Sequence, residues 1–110
     1  MAYDEQLGGR VRQLLTPFAE VTERKMFGGL AFLLRGNMCC GVVGKELMVR
    51  VGRESYEAAL HEPFVREMDF TGRPLRGFIY VAAEGLSSDG DLRAWVERGA
   101  RYAESLPAKD

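Results

Sequence analysis

The sequence is poor in the residues that build catalytic and metal sites. Its 110 residues include two cysteines and a single histidine. A protein zinc site needs three or four protein ligands, and His61 has no cysteine or histidine at metal-ligand spacing. The serines lack the G-x-S-x-G setting that is typical of hydrolases. We therefore expect a protein that is not an enzyme, with no catalytic residue, metal ligand or cofactor.

The two cysteines, Cys39 and Cys40, are neighbours in the chain. Adjacent strand residues point to opposite faces, so a disulfide between these two would be strained. Reduced thiols suit the cytoplasm. The sequence also lacks the ~20-residue apolar run of a membrane span and the layout of a signal peptide. We therefore expect a cytoplasmic protein with no membrane partner.

An excess of basic residues is absent as well. The chain has 15 basic and 16 acidic residues, a net charge of -1, and the basic residues are spread from Arg10 to Lys109. Nucleic-acid-binding proteins usually carry a basic excess because neutralising phosphates supplies much of their affinity. We therefore expect no direct binding of nucleic acid. The length and the 46% hydrophobic content predict that residues 1–110 form a single domain.

Hydrophobic spacing predicts three helices. The first has Asp4 as its N-cap and ends near Pro17, and a short second helix follows Gly52 and ends at Pro63. The third begins at a capping-box-like Ser88 and ends at Pro107. Its apolar stripe predicts packing on a sheet; it includes Leu92, Trp95, Val96 and Tyr102.

Period-two patterns predict four strands over residues 21–27, 30–34, 38–43 and 47–51, separated by glycine-containing turns. Two more strands are predicted at 68–70 and 78–82. The predicted fold is α+β: two layers, with an antiparallel meander sheet of five or six strands. Helices are predicted at both termini, with one short helix between strands.

The loop after residue 68 suggests an anion site. Asp69, Arg73 and Arg76 are close in sequence, and we expect Arg24 or Arg50 of the sheet near them. An arginine cluster can hold a phosphate or carboxylate ligand. A structural network of aspartate and arginine that fixes the loop explains the same residues.

The central strands carry apolar residues on both faces, because Leu33, Val43 and Met48 alternate with the predicted core residues. Sheets with one solvated face alternate more cleanly. Either helices cover both faces, or one apolar face binds another molecule. Three helices of the predicted lengths can cover only one face. We therefore predict a homodimer or partner interface on the helix-free face near these three residues.

An ordered series of motifs resembles the N-terminal domain of the TfoX (Sxy) competence-regulator family. The series covers residues 24–29, 37–43, 47–52 and 68–74, and the residues from Asp91 to Val96 also fit. This resemblance implies a bacterial cytoplasmic protein with a two-layer α/β domain. The family's namesakes promote competence gene expression together with the cyclic-AMP receptor protein, and they are regarded as regulators rather than enzymes.

Two functions follow from these observations. The first is a non-enzymatic regulatory or protein-interaction module whose partner is a protein, in the setting of transcription. The alternative is a small-ligand or anion sensor that uses the arginine-bearing loop, with Arg50, Asp69, Arg73 and Arg76 as candidate residues.

Overall fold

A computed structural model describes residues 3–26, 28–69, 72 and 74–109. It confirms the α+β fold class, with six strands, three helices and one 3₁₀ turn. In chain order the elements are α1 (Glu5–Leu14), β1 (Val21–Met26), β2 (Gly29–Leu34), β3 (Asn37–Val43), β4 (Glu46–Arg50), α2 (Arg53–Leu60), β5 (Val65–Glu67), β6 (Phe78–Val81), a 3₁₀ turn (Ala83–Leu86) and α3 (Asp89–Glu104).

The six strands form one antiparallel sheet in the order β1-β2-β3-β4-β6-β5. The first four strands are joined by hairpins, as predicted. The hairpin glycines Gly28, Gly36 and Gly44 have positive φ angles of 72°, 84° and 60°, which glycine adopts without a steric penalty. The last two strands are reversed in order, so β6 lies beside β4 and β5 forms an edge.

The helices begin and end at the predicted signals. The Asp4 side chain accepts hydrogen bonds from the backbone N–H groups of Gln6 and Leu7, at 3.0 and 3.2 Å. The Ser88 hydroxyl accepts one from the Asp91 N–H at 3.0 Å and begins α3. These bonds satisfy N–H groups that have no partner inside the helix.

The main hydrophobic core lies between the three helices and one face of the sheet. It combines residues of α1, α2 and α3 with the core-facing residues of the strands. In α3, Leu92, Trp95 and Val96 are buried and Tyr102 is half-buried, which confirms the predicted stripe.

The other face of the sheet carries no helix in the described part of the chain. A smaller cluster of Met48, Met68 and Tyr80 lies there, with Leu75 and Phe78 among the residues packed against it. Met68 is fully buried, and the Leu75 N–H donates to the Met68 carbonyl at 2.9 Å. Met68 and Leu75, which belong to the segment between β5 and β6, therefore cover the part of this face above β4 and β6.

The predicted strand at residues 68–70 is wrong. The strand is three residues earlier, at Val65–Glu67, while Met68 and Asp69 lie beyond its end and Phe70 is outside the described residues. The chain enters β5 through Phe64, whose φ is 67° and whose carbonyl accepts a hydrogen bond from the Ala82 N–H. This turn starts the pairing with β6 earlier than hydrophobicity alone predicts. Phe27, the predicted last residue of β1, also lies outside the described residues.

The predicted placement of the cysteines on opposite faces is also wrong. The register between β2 and β3 shifts, because Phe32 pairs with Cys40 and Leu33 pairs with Met38. This bulge inserts Cys39 as an extra residue. Both thiols are fully buried in the main core, with their Sγ atoms 3.6 Å apart; both cysteines are free.

Candidate functional site

A groove of about 700 Å³ lies on the helix-free face of the sheet. It lies beside the free edge of β1 and reaches across the sheet to β4 and β6. We call it the sheet groove, and its lining residues are Thr22, Arg24, Met26, Leu33, Gly36, Met38, Arg50, Phe78 and Lys109.

The charged side chains that line the sheet groove, as far as the described residues show, all have the same sign. Arg24 and Lys109 are exposed, and Arg50 is half-buried. The Arg50 guanidinium lies over the Phe78 and Tyr102 rings, 5.3 and 5.5 Å from their centroids. None of the three has a carboxylate within ion-pair distance in the part of the chain that the structure describes. The groove is therefore a local concentration of positive charge on a nearly neutral chain.

The floor of the sheet groove is apolar. Leu33 is 7% exposed, and Met26, Met38 and Phe78 are half-buried. Methionine side chains are flexible and polarizable, so they adapt to differently shaped apolar partners. The groove therefore offers apolar contact as well as positive charge.

Lys109 reaches the groove because the segment after α3 is fixed to the hairpin between β2 and β3. The Asn37 side-chain amide donates to the Pro107 carbonyl at 2.9 Å, and the Lys109 N–H donates to the Arg35 carbonyl at 2.8 Å. Asn37 is 5% exposed. These two bonds place Lys109 among groove residues that are far away in sequence.

The β5 side of the same face is electrostatically balanced. Arg66 donates two hydrogen bonds to the Glu46 carboxylate, at 2.6 and 3.1 Å. It also lies 3.6 Å from Asp69 and 4.5 Å from the centroid of the Tyr80 ring. The hydrogen bond with Glu46 is the main cause that raises the pKa of Arg66. The β5 side is covered by Met68 and Leu75, and its charges are already paired. It therefore offers a partner less apolar surface and less free charge than the sheet groove does.

The described residues of the predicted anion site lie in different settings. Arg50 lines the sheet groove, while Asp69 is an ion-pair partner of Arg66. The charge of Arg76 acts on the buried Tyr56 instead, where it opposes the burial that raises the pKa of that phenol. Arg73 lies outside the described residues. The described contacts do not join Arg50, Asp69 and Arg76, and the anion site stays a prediction.

The predicted interface residues lie on the helix-free face, but two of them are buried within the chain. Met48 is 1% exposed and Leu33 is 7% exposed, whereas Val43 is half-buried. Met48 packs with Met68 and Tyr80 beneath the segment between β5 and β6. The expectation of open apolar surface at Leu33 and Met48 is therefore corrected, and the interface itself stays a prediction.

The described part of the chain contains no group of three or more metal-ligating side chains.

The Cys40 thiol is hydrogen-bonded to Cys39 and fully buried, and both effects raise the pKa of this thiol well above its ordinary value. The Cys40 thiol therefore stays protonated at neutral pH, which is unsuited to nucleophilic attack. None of the described helices is both long and apolar enough to cross a membrane.

Sequence reasoning missed several groove residues: Met26, Met38, Phe78 and Lys109. The period of two in β1 was a usable signal, since it places Thr22, Arg24 and Met26 on one face. Lys109 had no such signal, because only the contacts of Asn37 and Arg35 bring it to the groove.

The fold and the helix-free face define a class: a two-layer α+β domain whose antiparallel sheet has one face that no described helix covers. The sequence matches the TfoX N-terminal domain family over residues 13–103, and the chain belongs to that family. The resemblance seen in the sequence is thus confirmed. A comparison with curated proteins finds no match. Membership supports a regulatory or competence-related domain, and the family is not a known enzymatic one.

Proposed function

We propose that this chain is a regulatory module that binds a partner protein through the sheet groove. The observation that carries the proposal is the combination of an apolar floor with cationic side chains that have no carboxylate partner among the described residues, on a face that the described helices leave free. Protein interfaces commonly combine an apolar centre with a polar rim. The exposed Arg24 and Lys109 provide the polar rim, and the half-buried Met38 and Phe78 provide the apolar centre.

Family membership supports placing the partner among proteins of transcription in the bacterial cytoplasm. The near-neutral charge of the chain favours contact with a protein of the transcription machinery over contact with DNA. In this role the module acts without a catalytic residue or a cofactor, by holding its partner in place.

A variant that blocks the groove without changing its charge tests the proposal. Thr22 is exposed and lines the groove, and tyrosine is well tolerated in strands, so Thr22→Tyr should fill the groove and leave the fold intact. Ala94→Tyr, on the exposed side of α3, is the matched control. We expect partners crosslinked in the source organism to be retained by the wild type and by Ala94→Tyr, and lost with Thr22→Tyr. Equal recovery with all three proteins would refute binding through the groove.

A second function, sensing of a small anion, is favoured by Arg50 alone. Arg50 is half-buried, and its guanidinium lies over two aromatic rings and has no carboxylate partner among the described residues. A thermal-shift screen of nucleotides and phosphorylated metabolites tests this alternative. A clear shift that Arg50→Ala or Arg73→Ala abolishes would support the anion sensor, and the absence of any shift would leave protein binding as the better account.

A further inference from the structure

We propose that the occupant of the sheet groove is an extended, acidic segment of a partner protein that also carries apolar side chains. This inference rests on the proposed function, since it names the chemistry of the partner that the groove would bind.

Charge complementarity gives the sign of the partner. Arg24, Arg50 and Lys109 contribute three positive charges to the groove lining, and no acidic residue lines it in the part of the chain that the structure describes. Elsewhere on the same face the chain neutralises its own cation, since Arg66 pairs with Glu46 and Asp69. A partner that brings carboxylates would supply the missing countercharges, because arginine forms two parallel hydrogen bonds with a carboxylate.

The apolar floor of the groove indicates that a partner needs more than negative charge to bind well. Met26, Met38 and Phe78 line the groove together with the cationic side chains and are half-buried, and a purely polar ligand would leave their exposed parts without an apolar partner. Burying leucine-like side chains on this floor is favourable in proportion to the apolar area removed from water. The partner segment should therefore carry apolar as well as acidic residues.

The position of the groove at the sheet edge favours an extended conformation. β1 is an edge strand, and Thr22, Arg24 and Met26 of β1 line the groove. A partner segment that runs along this edge can form main-chain hydrogen bonds with β1 while its side chains reach the groove. Extended segments place alternate side chains on opposite sides, which allows apolar residues to face the floor while the long arginine and lysine side chains reach the carboxylates.

Other occupants fit less well. A single-stranded nucleic acid needs several exposed rings for base stacking, whereas Phe78 is the one aromatic residue among the described residues of the groove lining and is already stacked with Arg50. A small anion would leave most of the 700 Å³ unfilled. A second copy that pairs by two-fold symmetry would bring each cationic groove against the same cations.

The test is binding of a synthetic probe to the full chain. The probe is a short fluorescent peptide of alternating glutamate and leucine, and fluorescence anisotropy measures its affinity at low and high salt. We expect saturable binding that weakens as salt rises. The double variant Arg24→Glu/Lys109→Glu should bind about tenfold more weakly. Arg93→Glu, an equivalent charge reversal on the exposed side of α3, should bind within about twofold of the wild type.

Matched probes separate the sources of binding. Binding of the glutamate-leucine peptide is compared with binding of four other probes: a peptide with glutamine for glutamate, a peptide with serine for leucine, an oligo-thymidine strand and inorganic phosphate. Equal binding of the glutamine peptide would overturn the acidic requirement, and equal binding of the serine peptide would overturn the apolar one. Tighter binding of oligo-thymidine, or a response to phosphate alone that matches the peptide, would also overturn the proposal.

Amide chemical shifts locate the bound probe and show that each variant is folded. We expect the glutamate-leucine peptide to perturb β1 and the backbone near Met38 and Arg50, and perturbations elsewhere would count against the groove. If this peptide does not bind while Thr22→Tyr still releases the native partners, the acidic chemistry is wrong and the proposed function stands. If Thr22→Tyr keeps every partner, the proposed function itself fails.

Discussion

At the scale of single residues, Gly99 sets how closely α3 approaches the sheet. A Cβ atom at this position would lie 2.3 Å from the carbonyl oxygen of Cys39, on β3. Glycine inside a helix costs roughly 0.5–1 kcal/mol relative to alanine, so intrinsic helix propensity does not explain its presence. The presence of Gly99 is explained by the close packing of the α3 backbone against the bulged strand β3.

Gly99→Ala should therefore destabilise the protein although alanine is the better helix former. The added methyl group must push α3 away from β3, and overpacking of this kind typically costs about 1–3 kcal/mol. Gly90→Ala in the same helix is the control, because no atom lies within 4 Å of its added Cβ, and it should be neutral or slightly stabilising. Urea unfolding compares the two variants. Equal stability of both would contradict the close approach of α3.

At the scale of elements, an ion pair connects α1 to the edge strand β1. The Arg12 guanidinium donates to both carboxylate oxygens of Glu23, at 2.5 and 2.7 Å. The hydrogen bond from Arg12 is the main cause that lowers the pKa of Glu23. The side chains are 54% and 34% exposed, so solvent weakens the pair, and a contribution of about 0.5 kcal/mol is appropriate.

The pH dependence of this pair has a defined sign. Because the pKa of Glu23 is lower in the folded state, its stabilisation is present above the unfolded pKa of about 4.3 and is lost as pH falls through the folded pKa. The stability difference between the wild type and Glu23→Gln should therefore be measurable near about pH 7 and vanish near about pH 2. In an Arg12→Gln background, Glu23→Gln should have little effect at either pH. A difference that grows on acidification would contradict this assignment.

In α3, the buried side chain of Trp95 should contribute strongly to the free energy of unfolding. Trp95 is 8% exposed and its ring lies 4.3 Å from the Arg98 guanidinium, which pairs with Glu62 near the end of α2. Trp95→Ala should cost about 3–5 kcal/mol, a large part of the stability of a small domain. Circular dichroism is the suitable measurement because the sequence contains one tryptophan and the variant has none. A melting temperature within a few degrees of the wild type would refute this placement.

At the scale of the whole molecule, the properties of the helix-free face disfavour the predicted homodimer. Phe64 is the one large hydrophobic side chain among the described residues that is strongly exposed, at 55%. It lies on the segment that connects α2 to β5, away from the groove lining. Among the described residues the groove carries positive charge without an ion-pair partner, and a two-fold symmetric contact would bring these like charges together.

We therefore expect light scattering to give a monomer over a wide range of concentrations at physiological salt. Arg24→Glu should leave this state unchanged, because the residue would not be part of a self-contact. Met48→Glu is unsuitable as an interface variant, since Met48 is buried and an unpaired charge there should unfold the protein. A dimer that Arg24→Glu dissociates would show that the second copy is the partner of this face.

The sequence by itself determined the class of fold and most of its elements. Local signals did this, because helix caps, prolines and hairpin glycines act on their immediate neighbours in the chain. Asp4 and Ser88 begin their helices as predicted, and Gly28, Gly36 and Gly44 turn the hairpins. The family was also recognisable from an ordered series of short motifs.

Only the tertiary structure decided the position of β5, the placement of the cysteines and the composition of the groove. Each depends on pairing between distant residues: β5 on its register with β6, Cys39 on the bulge against β2, and Lys109 on hydrogen bonds to the hairpin. A pattern of alternating residues shows which side chains share a face of a strand, but it does not show which strand lies next to it. The sheet groove has this origin, since its lining comes from five strands, a hairpin turn and the segment after α3.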